Sequence, residues 1–246
     1  MPENDPVISF NSVSYAVGGN RILERLDLEV LKGETLILLG ESGCGKTTTL
    51  KLINRLIDPT EGEVLVDGRP TSEWDAIKLR RHIGYVLQEA GLFPHFTVAE
   101  NVALVLTLEN WDGDRKRSRV FEMLDLVGLD PAKFAGRFPH ELSGGQRQRV
   151  GVGRALAADP SVVLLDEPFG ALDAITRSNL QKEFARLVRE LGKTAVFVTH
   201  DLHEAMTLGT RVALMDKGRI VLLDTPGNFA NSDLPLARAY LDTIAV

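Results

Sequence analysis

Apolar and polar positions alternate near the start of the chain, in Val7-Ile8-Ser9-Phe10 and again in Leu26-Asp27-Leu28-Glu29-Val30. This is the period-two pattern of strands buried on one face. Thr35-Leu36-Ile37-Leu38-Leu39 is almost wholly apolar and reads as a strand buried on both faces. It runs into Gly40-Glu41-Ser42-Gly43-Cys44-Gly45-Lys46-Thr47, after which a helical pattern continues to about Ile57 and is closed by Asp58-Pro59-Thr60. Further apolar strands are expected at Glu63–Val66, Ile83–Leu87, Val162–Leu165, Ala195–Val198 and Arg211–Met215, several of them separated by helical patterns. Strands and helices in this succession predict an α/β core whose central sheet is mostly parallel.

Between about 89 and 158 the pattern changes. Val98–Leu108, Arg115–Val127 and Ser143–Ala157 read as helices with no strand between them, an inserted helical lobe. Leu180, Phe184, Leu187, Val188 and Leu191 keep the spacing of one buried helix face. With no long linker and no internal repeat, residues 1–246 read as one domain, with a core of about 1–88 and 159–246 around a helical subdomain of about 89–158. Composition adds exclusions: 44% apolar and 25% charged residues are those of a globular protein, and 28 Lys plus Arg against 34 Asp plus Glu leave a net charge of −6, which argues against a nucleic-acid coat. The single cysteine, Cys44, allows no internal disulfide and fits a reducing, cytoplasmic setting. Met1 to Pro6 lack a secretory signal pattern, and the longest apolar runs are strand-sized, so any work at a membrane needs a partner.

Two segments carry chemistry. Gly40 to Thr47 satisfies G-x-x-x-x-G-K-[ST] between a buried strand and a helix. Gly40, Gly43 and Gly45 permit a backbone that turns successive N–H groups inward, and the helix start adds a positive dipole end. Lys46 supplies a charge for outer phosphates, and Thr47 a hydroxyl for Mg²⁺. In that field the Cys44 thiolate is expected to be favoured. The second segment is Val162-Val163-Leu164-Leu165-Asp166-Glu167, an apolar strand ending in two carboxylates. If pleat alternation holds, Asp166 reaches Mg²⁺ while Glu167 polarises a water for attack on a γ-phosphate.

Leu142-Ser143-Gly144-Gly145-Gln146, taken with Gly40 to Thr47, resembles the nucleotide-binding subunit of ATP-binding cassette (ABC) transporters, whose signature is Leu-Ser-Gly-Gly-Gln. The resemblance covers nearly the whole chain. It implies a P-loop NTPase core with a mostly parallel sheet, an N-terminal antiparallel β subdomain and an inserted helical subdomain. It implies ATP and Mg²⁺ as cofactors, with Gly40, Glu41, Ser42, Gly43, Cys44, Gly45, Lys46, Thr47 and Thr48 around the phosphates and Tyr15 stacked on adenine. It makes Gln88 the group that senses metal and attacking water, Asp166 a metal group, and Glu167 and His200 catalytic groups alongside Lys46. Ala171-Leu172-Asp173 matches a loop that crosses to a partner's site. In that family two subunits close head to tail, each ATP lying between one chain's glycine loop and the other's Ser143, Gly144, Gly145 and Gln146. Permease subunits and a separate binding protein are the further partners implied, and the inner face of the cell membrane the place. Ala90-Gly91-Leu92-Phe93-Pro94-His95-Phe96-Thr97 matches the surface where a permease helix docks.

Leu52 to Thr60, Gly91 to Val105 and Trp111 look similar to importers of osmoprotectants and quaternary amines such as glycine betaine, carnitine and choline. Two departures from the resemblance leave the expected ATPase function intact but put osmotic regulation in doubt: the sequence shows no paired regulatory domain after Leu234 to Ile244, and Gly209-Thr210 stands where many importers have Ala-Asp. Import of amino acids or another small solute is an alternative. So is a soluble ABC protein of DNA repair or translation, which would bear coiled coils or two cassettes, or a regulator without turnover, which would lose Lys46, Glu167 or His200.

Overall fold

Residues 6–88, 90–170 and 172–243 are described by the computed structural model; the polar opening Met1–Asp5, Ala171 of the crossing loop and Ile244 lie outside the described residues. The chain forms two compact units, one made of the stretch up to Arg80 together with that from Phe184 onward, the other of Arg81–Glu183.

The first unit begins with β1 (Pro6–Val17), β2 (Asn20–Leu31), β3 (Thr35–Leu39), α1 (Lys46–Ile53), β4 (Glu61–Val66), β5 (Arg69–Pro70) and α2 (Ala76–His82). The second holds β6 (Ile83–Val86), then α3 (Val98–Leu108), α4 (Gly113–Leu126), α5 (Pro131–Phe134) and α6 (Gly144–Leu156), then β7 (Val162–Asp166) and the start of α7 (Ala174–Glu190). The first unit resumes with the rest of α7, then β8 (Thr194–Thr199), α8 (Leu202–Leu208), β9 (Arg211–Asp216), β10 (Arg219–Asp224), α9 (Pro226–Ala230) and α10 (Pro235–Asp242).

In the first unit the alternating pattern near the N-terminus becomes an antiparallel sheet in the order β2-β1-β4-β5. Its hairpin turns at Gly18 and Gly19, both at positive φ (57° and 82°), as a tight two-residue turn demands. The apolar strands form a separate layer, β10-β9-β3-β8, in which β3 runs parallel to both β8 and β9 and β10 is an antiparallel edge. Leu36–Leu39, Ala195–Val198 and Val212–Leu214 have no exposed surface, which is why their runs lack polar alternation. In the second unit β6 and β7 pair in parallel; among the described residues between them, α3, α4 and α6 fall on the three helices expected from the sequence, and the short α5 is an addition to them.

Two boundaries differ from the periodicity. α1 stops at Ile53 rather than near Ile57 because Arg55 takes a left-handed conformation (φ 51°), with the Arg80 guanidinium donating to the carbonyls of Asn54 and Arg55. In α7, Leu180, Phe184, Leu187 and Val188 are buried, but Leu191 falls beyond the last turn and is exposed. β10 was not signalled: as an edge strand it is only partly covered, and its side chains show no clean alternation of buried and exposed.

Candidate functional site

β3 delivers its chain straight into the glycine loop. Gly45, at φ 111°, is the N-cap of α1, and a Cβ there would stand 2.5 Å from a Leu23 methyl. Lys46 is buried, its Nζ donating to the carbonyls of Gly40 (2.6 Å) and Glu41 (2.9 Å), so the charge is held against the inside of the loop. Glu41, Ser42 and Gly43 are exposed, and Thr47 and Thr48 are half-buried on the first turn of α1. Gly43 has φ 85°, and a Cβ on it would meet nothing within 4 Å, which leaves the outer side of the loop open. A helix start, a buried lysine and an open glycine backbone fit an anion with several oxygens.

Cys44 corrects its expectation. It is buried, its Sγ 4.0 Å from Lys46 Nζ, and burial pushes the thiol above its ordinary value despite the opposing lysine charge. The thiolate is therefore disfavoured.

Two more of the expected residues lie in this unit. Thr199, the last residue of β8, is in register with Leu39, so exposed His200 and Gly40 leave the same end of adjacent parallel strands. Half-buried Tyr15 faces Leu23 across the β1–β2 ladder, and Leu23 is the side chain against Gly45, which ties the tyrosine's hairpin to the glycine loop.

In the second unit Val86 is in register with Leu165, so Gln88 and Glu167 also leave one end of a parallel pair. Gln88 is exposed; Asp166 and Glu167 are half-buried. The Tyr85 hydroxyl lies 3.4 Å from Asp166 Oδ2, and burial, reinforced by that carboxylate, raises the phenol's pKa well above its ordinary value. Pleat alternation does not set the direction of Glu167: β7 ends at Asp166, and Glu167 has φ 43°, a left-handed turn that re-aims its side chain. Each unit taken by itself offers a hard oxygen of a kind that suits Mg²⁺, the Thr47 hydroxyl in the first and the Asp166 carboxylate in the second. Among the described residues no three or more His, Cys, Asp or Glu gather as a metal site.

Ser143, exposed, is the N-cap of α6 in a closed capping box: the Gln146 N–H donates to Ser143 Oγ (3.3 Å) and the Ser143 N–H to Gln146 Oε1 (2.9 Å). Gly145 is buried against α7, where a Cβ would come within 2.8 Å of the Thr176 methyl. Gly144 is exposed, and a Cβ there would meet only side-chain ends at ordinary contact distances, Leu172 at 3.4 Å and Arg147 at 3.9 Å, so of the two it is the glycine that leaves room outside. Asp173 caps the start of α7: the Thr176 N–H donates to it at 3.0 Å, and this bond together with the Thr176 hydroxyl holds its carboxyl below the ordinary range. Signature and crossing-loop residues thus meet at two helix starts.

The same unit carries a groove of about 680 Å³ between α3 and α4, lined by Phe96, Ala99, Ala103, Leu104 and Phe121 with Lys116 at its side. Beside it, Phe93, His95 and Phe96 form an aromatic cluster on the expected docking segment. Buried Asn101 shapes that segment, donating to the carbonyls of Phe93, Phe96 and Thr97 and accepting from the Phe93 N–H. Sequence reasoning passed over Asn101. A buried asparagine four residues after a helix cap shows in the sequence only as a polar break in an apolar face.

The profile of the family described as ABC transporter matches residues 23–170. The chain is 52% identical over 209 residues to a glycine betaine/carnitine/choline transport ATP-binding protein, OpuCA of Bacillus subtilis, covering 85% of this chain and 55% of that protein. It is 48% identical over 233 residues to the osmoprotectant import ATP-binding protein OsmV of Salmonella typhimurium, covering 90% and 61%. The chain spans about half the length of the first of the curated relatives it matches. Among solved structures it resembles the dimeric post-hydrolysis state of the ATP-binding cassette MJ0796 bound to ADP and Pi, with a TM-score of 0.79, 36% identity, and coverage of 89% of this chain and 98% of that one.

Proposed function

Because this chain belongs to the ABC transporter family, we propose that it is the ATP-binding and ATP-hydrolysing subunit of an ABC importer, held at the inner face of the cell membrane by permease subunits. The observation that carries the reading is the glycine loop itself: a buried Lys46 folded onto loop carbonyls at the start of a helix whose outer side is open. Backbone N–H groups of Gly40 to Thr48 and Lys46 would hold the phosphates, with Tyr15 on the adenine. Thr47, Gln88 and Asp166 would hold Mg²⁺, which when bound neutralises charge on the β- and γ-phosphate oxygens. Glu167 accepts the proton of the attacking water, Gln88 orients that water and His200 contacts the γ-phosphate.

Ser143, Gly144, Gly145 and Gln146, with Asp173, act on the nucleotide of a second copy or paired subunit. The exposed faces of Ser143 and Gly144 support that assignment. The catalytic core of this reading comprises about 1–88 and 159–246, the helical lobe about 89–158. The groove between α3 and α4 and the aromatic cluster beside it suit an amphipathic permease helix. The cargo, an osmoprotectant or quaternary amine, is supported by the relatives' names, and a separate binding protein would select it.

Glu167→Gln tests the chemistry. The amide keeps the volume but cannot take a proton, so turnover should fall by about 10² to 10⁴ while ATP binding is kept. ATP should then hold a stable dimer, visible by size-exclusion chromatography with and without nucleotide. Wild-type turnover in this variant would remove Glu167 from its role. Assay of the purified protein with its permease and binding protein, using radiolabelled glycine betaine against amino acids, decides the cargo.

A further inference from the structure

The junction between β8 and α8 carries more hydrogen bonding than a helix start needs. Asp201 alone caps α8, its carboxylate accepting from the N–H groups of His203 (2.7 Å) and Glu204 (3.4 Å). Yet a second set of bonds lies beneath it. The Thr199 hydroxyl donates to Glu204 Oε2 and accepts from the Asp201 N–H (3.0 Å), and both Thr199 (2% exposed) and Glu204 (5% exposed) are buried. Burying a carboxylate costs desolvation, and a helix cap does not require it. The bond between Thr199 and Asp201 spans exposed His200, whose backbone is held on one side by Thr199, in register with Leu39, and on the other by the cap of α8.

We propose that Thr199 and Glu204 are positioning residues that clasp the β8–α8 junction and so fix where the His200 imidazole points. This rests on the assignment of His200 to the γ-phosphate made above. The Thr199 hydroxyl is the centre of the clasp because it bonds both the Asp201 N–H and the Glu204 carboxylate.

Thr199→Val removes the hydroxyl at nearly constant volume, and Thr199→Ser keeps it. Each is measured in the wild-type chain and in a His200→Ala background. In the wild-type chain Thr199→Val should lower kcat about tenfold or more with KM for ATP within about twofold, the signature of an interaction made in the transition state, and Thr199→Ser should restore it. With His200 already removed, Thr199→Val should change kcat by no more than about twofold, because the clasp then has nothing to aim. Wild-type kcat in Thr199→Val, or the same drop in both backgrounds, would overturn the clasp; the second result would mark a merely structural bond.

If turnover without His200 is below detection, histidine side-chain NMR decides. Wild type and Thr199→Ser should give one sharp His200 imidazole signal, and Thr199→Val a shifted or broadened one; an unchanged signal overturns the proposal. If Thr199→Val fails to fold, Glu204→Gln, which keeps an acceptor, is compared with Glu204→Ala, which does not, and equal kcat in the two overturns it. Full turnover in His200→Ala alone would instead overturn the assignment of His200.

Discussion

At Gly40 the missing side chain answers to packing rather than to dihedral freedom: a Cβ there would stand 2.5 Å from the Met215 carbonyl oxygen and 2.6 Å from Cys44 Sγ. Gly45 needs its glycine on both counts, with φ 111° and Leu23 in the way. Between them Cys44 is buried, and its backbone carbonyl accepts from the Gly218 N–H (3.0 Å), which fixes the loop from behind. Since the thiolate is the nucleophile and burial disfavours it, Cys44 should react with a maleimide at least about tenfold more slowly in the native protein than in the unfolded chain. ATP should not change that rate, and Cys44→Ala should still bind nucleotide. Mass spectrometry of the labelled protein reads this directly because the chain has one cysteine. Rapid labelling that ATP suppresses would instead mean a thiolate that is favoured and open to solvent in the empty loop.

Among the elements, the starts of α6 and α7 hold each other. A Cβ on Gly145 would press on the Thr176 methyl at 2.8 Å, so Gly145→Ala should destabilise the fold by about 1–3 kcal/mol, the usual range for overpacking. Gly144→Ala, with ordinary contact distances, should leave the thermal midpoint nearly unchanged. Thr176→Ser removes the offending methyl and keeps the hydroxyl that bonds Asp173, so it should recover most of the loss in Gly145→Ala; calorimetry of the four proteins checks this. The same elements mark what was readable beforehand. Strands β3, β7 and β8 announced themselves as apolar runs, and the glycine loop and Ser143 were legible because phosphate binding and helix capping dictate residue types at fixed spacing. The end of α1 at Ile53, the left-handed Glu167 and the burial of Cys44 were not legible, since each is set by contacts distant in sequence or by a turn that pattern does not encode. The pair Thr199 and Glu204 left only a faint trace, an acidic residue three positions after the cap Asp201.

For the molecule as a whole, the proposed reading places half of each catalytic site on another chain. Ser143 Oγ accepts the Gln146 N–H in the capping box, which leaves its O–H able to donate outward from a small, exposed helix start beside Gly144. Ser143→Arg puts a long cation on that exposed surface, while Lys46→Ala removes the buried charge of the glycine loop; the two defects fall on different halves of a shared site. A dimer of Ser143→Arg chains should bind ATP at each glycine loop without hydrolysing it, and a dimer of Lys46→Ala chains should lack the phosphate contact at both. In a mixed dimer, the glycine loop of the Ser143→Arg chain faces the intact Ser143 of its partner, and one wild-type site is assembled while the other carries both lesions. Mixing the two inactive proteins should therefore recover up to about one quarter of wild-type turnover if chains exchange at random, because half of the dimers are mixed and each has one of two sites intact. Differently tagged chains purified as a mixed dimer should approach half. No recovered hydrolysis in a verified mixed dimer would mean that Ser143 serves its own chain's nucleotide, and the head-to-tail arrangement would fall with it.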